Sequence, residues 1–229
     1  MPVTGPPLLG RTQSPVGWVV GFVRAPAADV LEADLGWRRG LGQRLEVSPP
    51  TPFPACLSLL EPLEAPWTTE LLVDCGPWTA YLNNHKDGGD PTAAAGELAR
   101  QLGTRCVIAV HSPPHGPGHA STQMWVHGPD GEPPLMAERT LAASRQDGRW
   151  SWYESGRPLP FEDVARYGAR RIRDRFDRAL LVAHLHALGI EVDDPTWFGP
   201  GVAVRQVVPW PTRPESVEEA LERLEVGSR

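Results

Sequence analysis

Between Ser48 and Pro54 the chain reads Ser-Pro-Pro-Thr-Pro-Phe-Pro, and four of these seven residues lack a backbone N–H. Neither a helix nor the inner ladder of a sheet can run through such a stretch, because each proline removes a donor and fixes φ. The connector is therefore the best boundary along the chain. Before it, residues 1–16 carry loop formers without periodicity and read as a flexible arm. Gly17–Val23 then reads as a strand, and Ala27, Val30, Leu31 and Leu35 recur at helical spacing before Gly36 stops them. Residues 17–47 thus form a strand-helix preface.

After the connector, Glu70–Cys75 and Trp78–Leu82 are apolar extended runs separated by the turn pair Gly76-Pro77. Asp90 is placed to cap a helix that has Pro91 at its first position, and Ala93–Leu102 are good helix formers ending before Gly103. Thr104–Val110 reads as a buried strand. Residues 121–154 read as a three-strand meander turning at Asp130-Gly131 and Asp147-Gly148, with Trp150 and Trp152 on one face as core cover. From Phe161 to Leu188 the spacing of Ala165, Ala169, Ile172, Phe176, Leu180, Ala183 and Ala187 predicts one long amphipathic helix. Its opposite face carries Arg166, Arg170, Arg173, Asp174, Asp177 and Arg178, a salt-bridged solvated surface in which Asp174 and Asp177 pair four residues away. Val202–Val208 is a late strand, and residues 209–229 read as a loosely tethered appendage whose helix spans Glu215–Glu225. The expected fold is α+β: a single domain over 17–208, its main body 55–208, in which a largely antiparallel sheet is covered by the long C-terminal-half helix and by the shorter helix 91–102.

The 229 residues are 41% hydrophobic and 22% charged, enough apolar material for a core. With 22 basic against 28 acidic side chains the net charge is -6, which argues against general attraction to nucleic acid or an anionic membrane. Of the basic residues 21 are arginine and only Lys86 is lysine, while Asn83 and Asn84 are the only asparagines. That bias is a codon signature of a high-GC, bacterial genome, so arginine abundance is discounted as a functional signal. The opening residues lack a charged leader region, no run is long enough to span a bilayer, and Cys56, Cys75 and Cys106 are widely spaced. A cytoplasmic protein with reduced, buried thiols and no membrane contact is expected.

The densest polar segment is Asn83-Asn-His-Lys-Asp-Gly-Gly-Asp90, a strand-to-helix loop that holds the only lysine. Amide groups at a helix start attract anions, Lys86 can bind a phosphate or carboxylate, and His85 can move a proton. The competing reading is a Gly-rich turn whose Asn and Asp side chains satisfy backbone groups, and it is the favoured one. In His111-Ser-Pro-Pro-His-Gly-Pro-Gly-His119 the histidines have metal-binding spacing, but the prolines forbid the helix that spacing requires, so a mobile loop is expected and no metal is assigned. The motifs GxSxG, GxxxxGK[ST], HExxH and GxGxxG are absent. No nucleophile, base and orienter support one another, and no catalytic residue or cofactor is assigned. The candidate binding residues are Asn83, Asn84, His85, Lys86, Asp87, His111, Trp150 and Trp152.

Trp78-Thr-Ala-Tyr-Leu-Asn-Asn84, the Gly148-Arg-Trp-Ser-Trp hairpin, Phe161-Glu162 and Arg170-Arg-Ile-Arg-Asp-Arg-Phe176 together resemble a pattern in uncharacterised bacterial α+β proteins of similar length, some of them immunity-type accessory proteins. The resemblance spans roughly residues 67–190 and implies a self-contained α+β unit. The favoured reading is a non-enzymatic cytoplasmic interaction protein, immunity-like or regulatory, with a protein partner and no nucleic acid. The alternative is a small-molecule or phosphate-processing enzyme using the 83–90 loop and His111, which requires Asn83, His85, Asp87 and His111 to converge on one pocket.

Overall fold

In a computed structural model the described residues are 7–10, 14–89, 92–116, 118–133 and 136–226. The expected cap at Asp90 and Pro91, and Leu135 at the start of an expected strand, lie outside them. The elements in chain order are β1 (Val19–Val23), α1 (Ala27–Gly40), β2 (Leu45–Val47), β3 (Thr69–Cys75), β4 (Trp78–Asn83), α2 (Thr92–Gln101), β5 (Cys106–His115), β6 (His119–Glu132), β7 (Ala137–Gln146), β8 (Arg149–Gly156), α3 (Arg178–Ala187), β9 (Gly201–Gln206) and α4 (Val217–Arg223). Among the described residues nine strands form one antiparallel sheet in the order β2-β9-β3-β4-β1-β5-β6-β7-β8. Of the two strands that precede the proline connector, β1 therefore sits at the centre of the sheet and β2 at its edge. The connector itself runs along the sheet, with Ser48 and Thr51 bonded to Ala203 and Gly201 and with Cys56, Leu60 and Leu63 buried beyond it.

Alternation along the strands sorts the core into two layers. On one face Val20, Phe22, Leu71, Val73, Ala80, Leu82, Val107, Ala109, Met124, Val126 and Leu141 meet Leu60, Phe176, Leu181 and Leu185. On the other, Leu72, Tyr81, Cys106 and Ile108 meet Val30 of α1 and Ala94, Ala95, Leu98 and Ala99 of α2. Leu8 and Leu9, in the segment read as an arm, are buried in the first layer. Helix α1 does not stop at Gly36: it continues to Gly40 and buries Val30, Asp34 and Arg38, a stripe at intervals of four that carries two charges.

The long helix expected over 161–188 is not formed, and it is replaced by short 3-10 turns at Val164–Gly168 and Ile172–Asp174 followed by the ten-residue α3. Tertiary anchors override the periodicity. Asp163 caps the first turn through the Ala165 amide, Asp177 caps α3 through the Leu180 amide, and Ala169 between them is extended at φ -55° and ψ 141°. Glu162 and Tyr167 are held against the sheet, so the chain has to unwind between attachment points. In α3 the buried side chains are Leu181, Val182, His184 and Leu185, while Ala183 and Ala187 of the expected apolar stripe are exposed. The expected pairs of Asp174 and Asp177 at intervals of four give way to Arg166–Asp177 at 2.6 Å and Arg178–Asp193 at 2.9 Å.

Helix α4 is shorter than residues 215–225 and is opened by a capping box between Ser216 and Glu219. It is docked rather than loosely tethered. Ala220 is buried, Leu63 pairs with Glu215, and the Gly116 amide donates to the Leu224 carbonyl at 2.8 Å. Among the described residues no helix is long and apolar enough to cross a membrane.

Candidate functional site

The strand-to-loop transition at the end of β4 is set by two adjacent asparagines with different duties. Asn83 accepts the His85 amide on Oδ1 at 3.1 Å, and its Nδ2 is buried without a partner. Asn84 is a clamp: Oδ1 accepts the Thr68 and Thr69 amides, each at 2.9 Å, and Nδ2 donates to the Pro62 carbonyl at 2.8 Å. These bonds tie the loop to a segment containing the cis peptides Glu61–Pro62 and Ala65–Pro66. Asn84→Ala strands two buried amides and a carbonyl, and a loss of about 2–3 kcal/mol in urea denaturation is expected. A loss below half a kcal/mol would show that Asn84 is held for a ligand rather than for the scaffold.

Beyond Asn84, His85 accepts the Asp87 amide on Nδ1 at 3.2 Å. Arg223 of α4 pairs with Asp87 at 2.8 Å and donates to the Lys86 carbonyl at 2.9 Å. Gly88, at φ +97°, lies under the Trp18 ring, where a Cβ would come within 3.1 Å of ring carbon. Trp18 in turn packs on His115 with ring centroids 4.8 Å apart. The loop after β4 and the turn between β5 and β6 are thus joined by Trp18 on one side and by the C-terminal end of α4 on the other. Favourable surface ion pairs of this kind contribute under about 1 kcal/mol each, so Trp18 carries most of the junction.

Residues 111–116, expected in a mobile loop, continue β5 and its turn instead. Strand β5 continues through Pro113 and Pro114 to His115, absorbing them in a register shift between Ser112 and His115, and β6 returns from His119. Prolines are tolerated there because a bulge needs no ladder donor. His115 donates from Nδ1 to the Pro113 carbonyl at 2.8 Å, and its ring lies 5.7 Å from that of His119. Among the described residues no group of three or more His, Cys, Asp and Glu could hold a metal ion.

His111 bonds Thr122 Oγ1 through Nδ1 at 3.0 Å and abuts Gly10. Burial, and then the nearby Arg178 guanidinium, lower its pKa to about 4. The folded state therefore favours the neutral ring, and an unfolded chain takes up the proton first. The stabilisation is complete above the ordinary histidine value near 6.5 and is lost as pH falls toward 4. Thermal melting of the wild type should lose on the order of 2 kcal/mol between about pH 6.5 and 4 that a His111→Phe variant retains; parallel pH profiles of the two proteins would contradict this.

The four groups required by an enzymatic site are not brought together. Tyr81 and Ile108 both pair with Gly21 and share its face, Asn83 follows Tyr81 by two residues, and His111 follows Ile108 by three. Asn83 and His111 therefore project from opposite faces of the sheet. Trp150 and Trp152 lie on the face of the larger core, half-buried, with Trp152 packed 5.4 Å from Tyr167. The three cysteines are free and buried, and burial pushes the Cys56 thiol up to about 11, Cys75 to about 12 and Cys106 higher still.

Two polar centres escape a reading by motif. Buried Arg139 makes three hydrogen bonds to Glu162, at 3.0, 3.1 and 2.7 Å, and also reaches Glu154 and the Ser155 and Gly156 carbonyls. Burial raises the Glu162 carboxyl, but hydrogen bonds from Arg139, the Leu159 amide and Tyr167 outweigh it and hold the group below its ordinary range. Arg38 bridges Asp34 of α1 and Glu70 of β3 between the rings of Trp37 and Trp67, 4.2 and 5.1 Å away. Both centres are enclosed by scaffold. A 270 Å³ cleft beside β2 is open to solvent and lined by Glu46, Glu61, Glu64, Thr69 and Arg205 among others.

A second accessible surface of mixed chemistry lies elsewhere. Among the described residues helix α2 covers β1 and β5 and reaches only as far as Trp125 of β6, leaving the same face of β7 and β8 uncovered. There Ser121, Gln123, Trp125, Thr140, Ser144, Ser151 and Tyr153 share one side, and Tyr153 is 60% exposed. Trp125 donates to Gln123 at 2.9 Å and Gln123 to Ser121 at 2.6 Å, which holds the patch in a fixed pattern. No protein family, curated protein or solved structure matches the chain.

Proposed function

We propose that this protein is a non-enzymatic cytoplasmic interaction module, immunity-like or regulatory in action, which works by occupying a protein partner. The observation that supports this reading is the face of β7, β8 and the outer part of β6 that α2 leaves uncovered among the described residues. A sheet face in an antiparallel fold either packs on a core or is solvated, and a solvated one selected only for solubility carries charges. This one carries small hydroxyl and amide side chains around Trp125 and Tyr153, with the charge of Arg149 at its margin. Depletion of charge with aromatic enrichment is the composition of an interface centre.

Three strands about 4.8 Å apart, eight residues long at about 3.4 Å each, give a platform of about 400 Å². Gln123 and Ser144 lie at its middle, on β6 and β7. Affinity purification from the native cell is expected to recover a stoichiometric protein partner with the wild type and to lose it with Q123R/S144R, whose fold is checked by circular dichroism. Recovery of the same partner by both forms would remove the platform from the reading, and a tightly bound metabolite with no protein partner would overturn the reading itself.

A further inference from the structure

Strand β8 is the outer edge of the sheet and is eight residues long, whereas the opposite edge, β2, has three. Natural edges of this length are normally blunted by proline, lysine, a bulge or a covering segment. Strand β8 has no proline or lysine, and its register with β7 runs from Arg139↔Gly156 to Gln146↔Arg149 without a shift. Among the described residues none of its amides donates a backbone bond outside the sheet ladder. Apart from the Ser155 and Gly156 carbonyls, which accept from Arg139, the N–H and C=O groups of β8 that face away from β7 therefore line a straight edge.

From this edge we propose that the protein forms a two-fold dimer in which β8 pairs antiparallel with β8 of a second copy, with Trp152 on the axis. The sequence about Trp152 is chemically self-complementary: Asp147-Gly-Arg-Trp-Ser-Trp-Tyr-Glu-Ser-Gly-Arg157. An antiparallel partner keeps the faces of the sheet in common only when paired residues have the same parity, which the Trp152 register satisfies. It sets Asp147 against Arg157, Gly148 against Gly156, Trp150 against Glu154 and Ser151 against Tyr153, each pair occurring twice by symmetry. No like charges oppose one another. Gly148 and Gly156, at φ +75° and +80°, end the strand symmetrically on either side. A two-fold axis perpendicular to the sheet also brings the two bare platforms edge to edge, and together they reach about 800 Å², the usual footprint of one partner in a stable complex.

The dimer stands or falls separately from the platform, because its test is the oligomeric state of the purified full chain. Light scattering on a sizing column, at concentrations of order 10–100 µM, is expected to give twice the chain mass. S151K/Y153K places lysine opposite lysine twice at exposed positions and should give a monomer with an unchanged circular dichroism spectrum; Arg157→Asp, which sets a second carboxylate against Asp147, should weaken association at least tenfold. A wild type that is monomeric throughout this range, or a dimer indifferent to these substitutions, overturns the proposal.

Discussion

Replacing Arg38 by methionine is expected to destabilise the protein by about 3–5 kcal/mol, lowering its melting temperature by about 10 °C. Asp34 and Glu70 are both fully buried, and Arg38 is the cation that contacts them. One oxygen of each carboxylate, and the hydroxyl of neighbouring Tyr81, already lack a hydrogen-bond partner. Burial raises the Asp34 carboxyl against the opposing pull of Arg38, so removal of the guanidinium leaves burial unopposed. The same variant exposes the faces of Trp37 and Trp67 that the guanidinium covers. A triple variant, R38M/D34L/E70L, should return to within about 1 kcal/mol of the wild type, because an apolar core of equal volume carries no uncompensated charge. Equal losses in the single and triple variants would mean that shape, and not charge, is what Arg38 supplies.

Arg139→Met is expected to cost a similar amount, again about 3–5 kcal/mol, but with a regional signature. The arginine side chain is 2% exposed and that of Glu162 is fully buried. Glu162 also accepts the Leu159 amide at 3.0 Å and the Tyr167 hydroxyl at 2.9 Å, so one carboxylate fastens the whole 159–167 stretch to β7. Loss of Arg139 should therefore free this stretch, and the neighbouring His184 with it. That ring is 2% exposed and packs between Phe161 and Phe176, 5.2 and 5.5 Å away. Hydrogen exchange should show protection falling over residues 159–187 while α1 and α2 keep theirs. R139M/E162Q, which removes the orphaned charge, should recover part of the stability. Uniform loss of protection across the sheet would contradict a local fastening.

The strands were legible because their signals are local: apolar runs bounded by Gly and Pro, with alternation where one face is wet. The hairpin of β3 and β4, the meander of β6 to β8, and α2 with Gly103 after it all stand near their expected positions. The helix expected over 161–188 failed for a reason that no periodicity contains. Glu162 and Tyr167 are held at Arg139, twenty-three and twenty-eight residues earlier, and that attachment competes with continuous helix. The polar loops were legible as clusters but not in their employment: Asn84 is used up by the chain it follows, and Asp87 by an arginine 136 residues away. Discounting arginine as a product of codon usage was sound for the exposed ones. It hid Arg38 and Arg139, whose burial is visible only when the partners that neutralise them are seen.

The order of strands also bears on how the chain is made. Strand β1 emerges first, yet it lies between β4 and β5, and β2 has no neighbour until β9, paired through Glu46↔Arg205, arrives about 160 residues later. Vectorial synthesis on the ribosome therefore leaves β2 and the flank of β3 waiting until nearly the whole chain has been translated. During that interval the nascent polypeptide presents unsatisfied strand margins and the apolar faces of Leu71 and Val73, which makes it a natural client for holding chaperones.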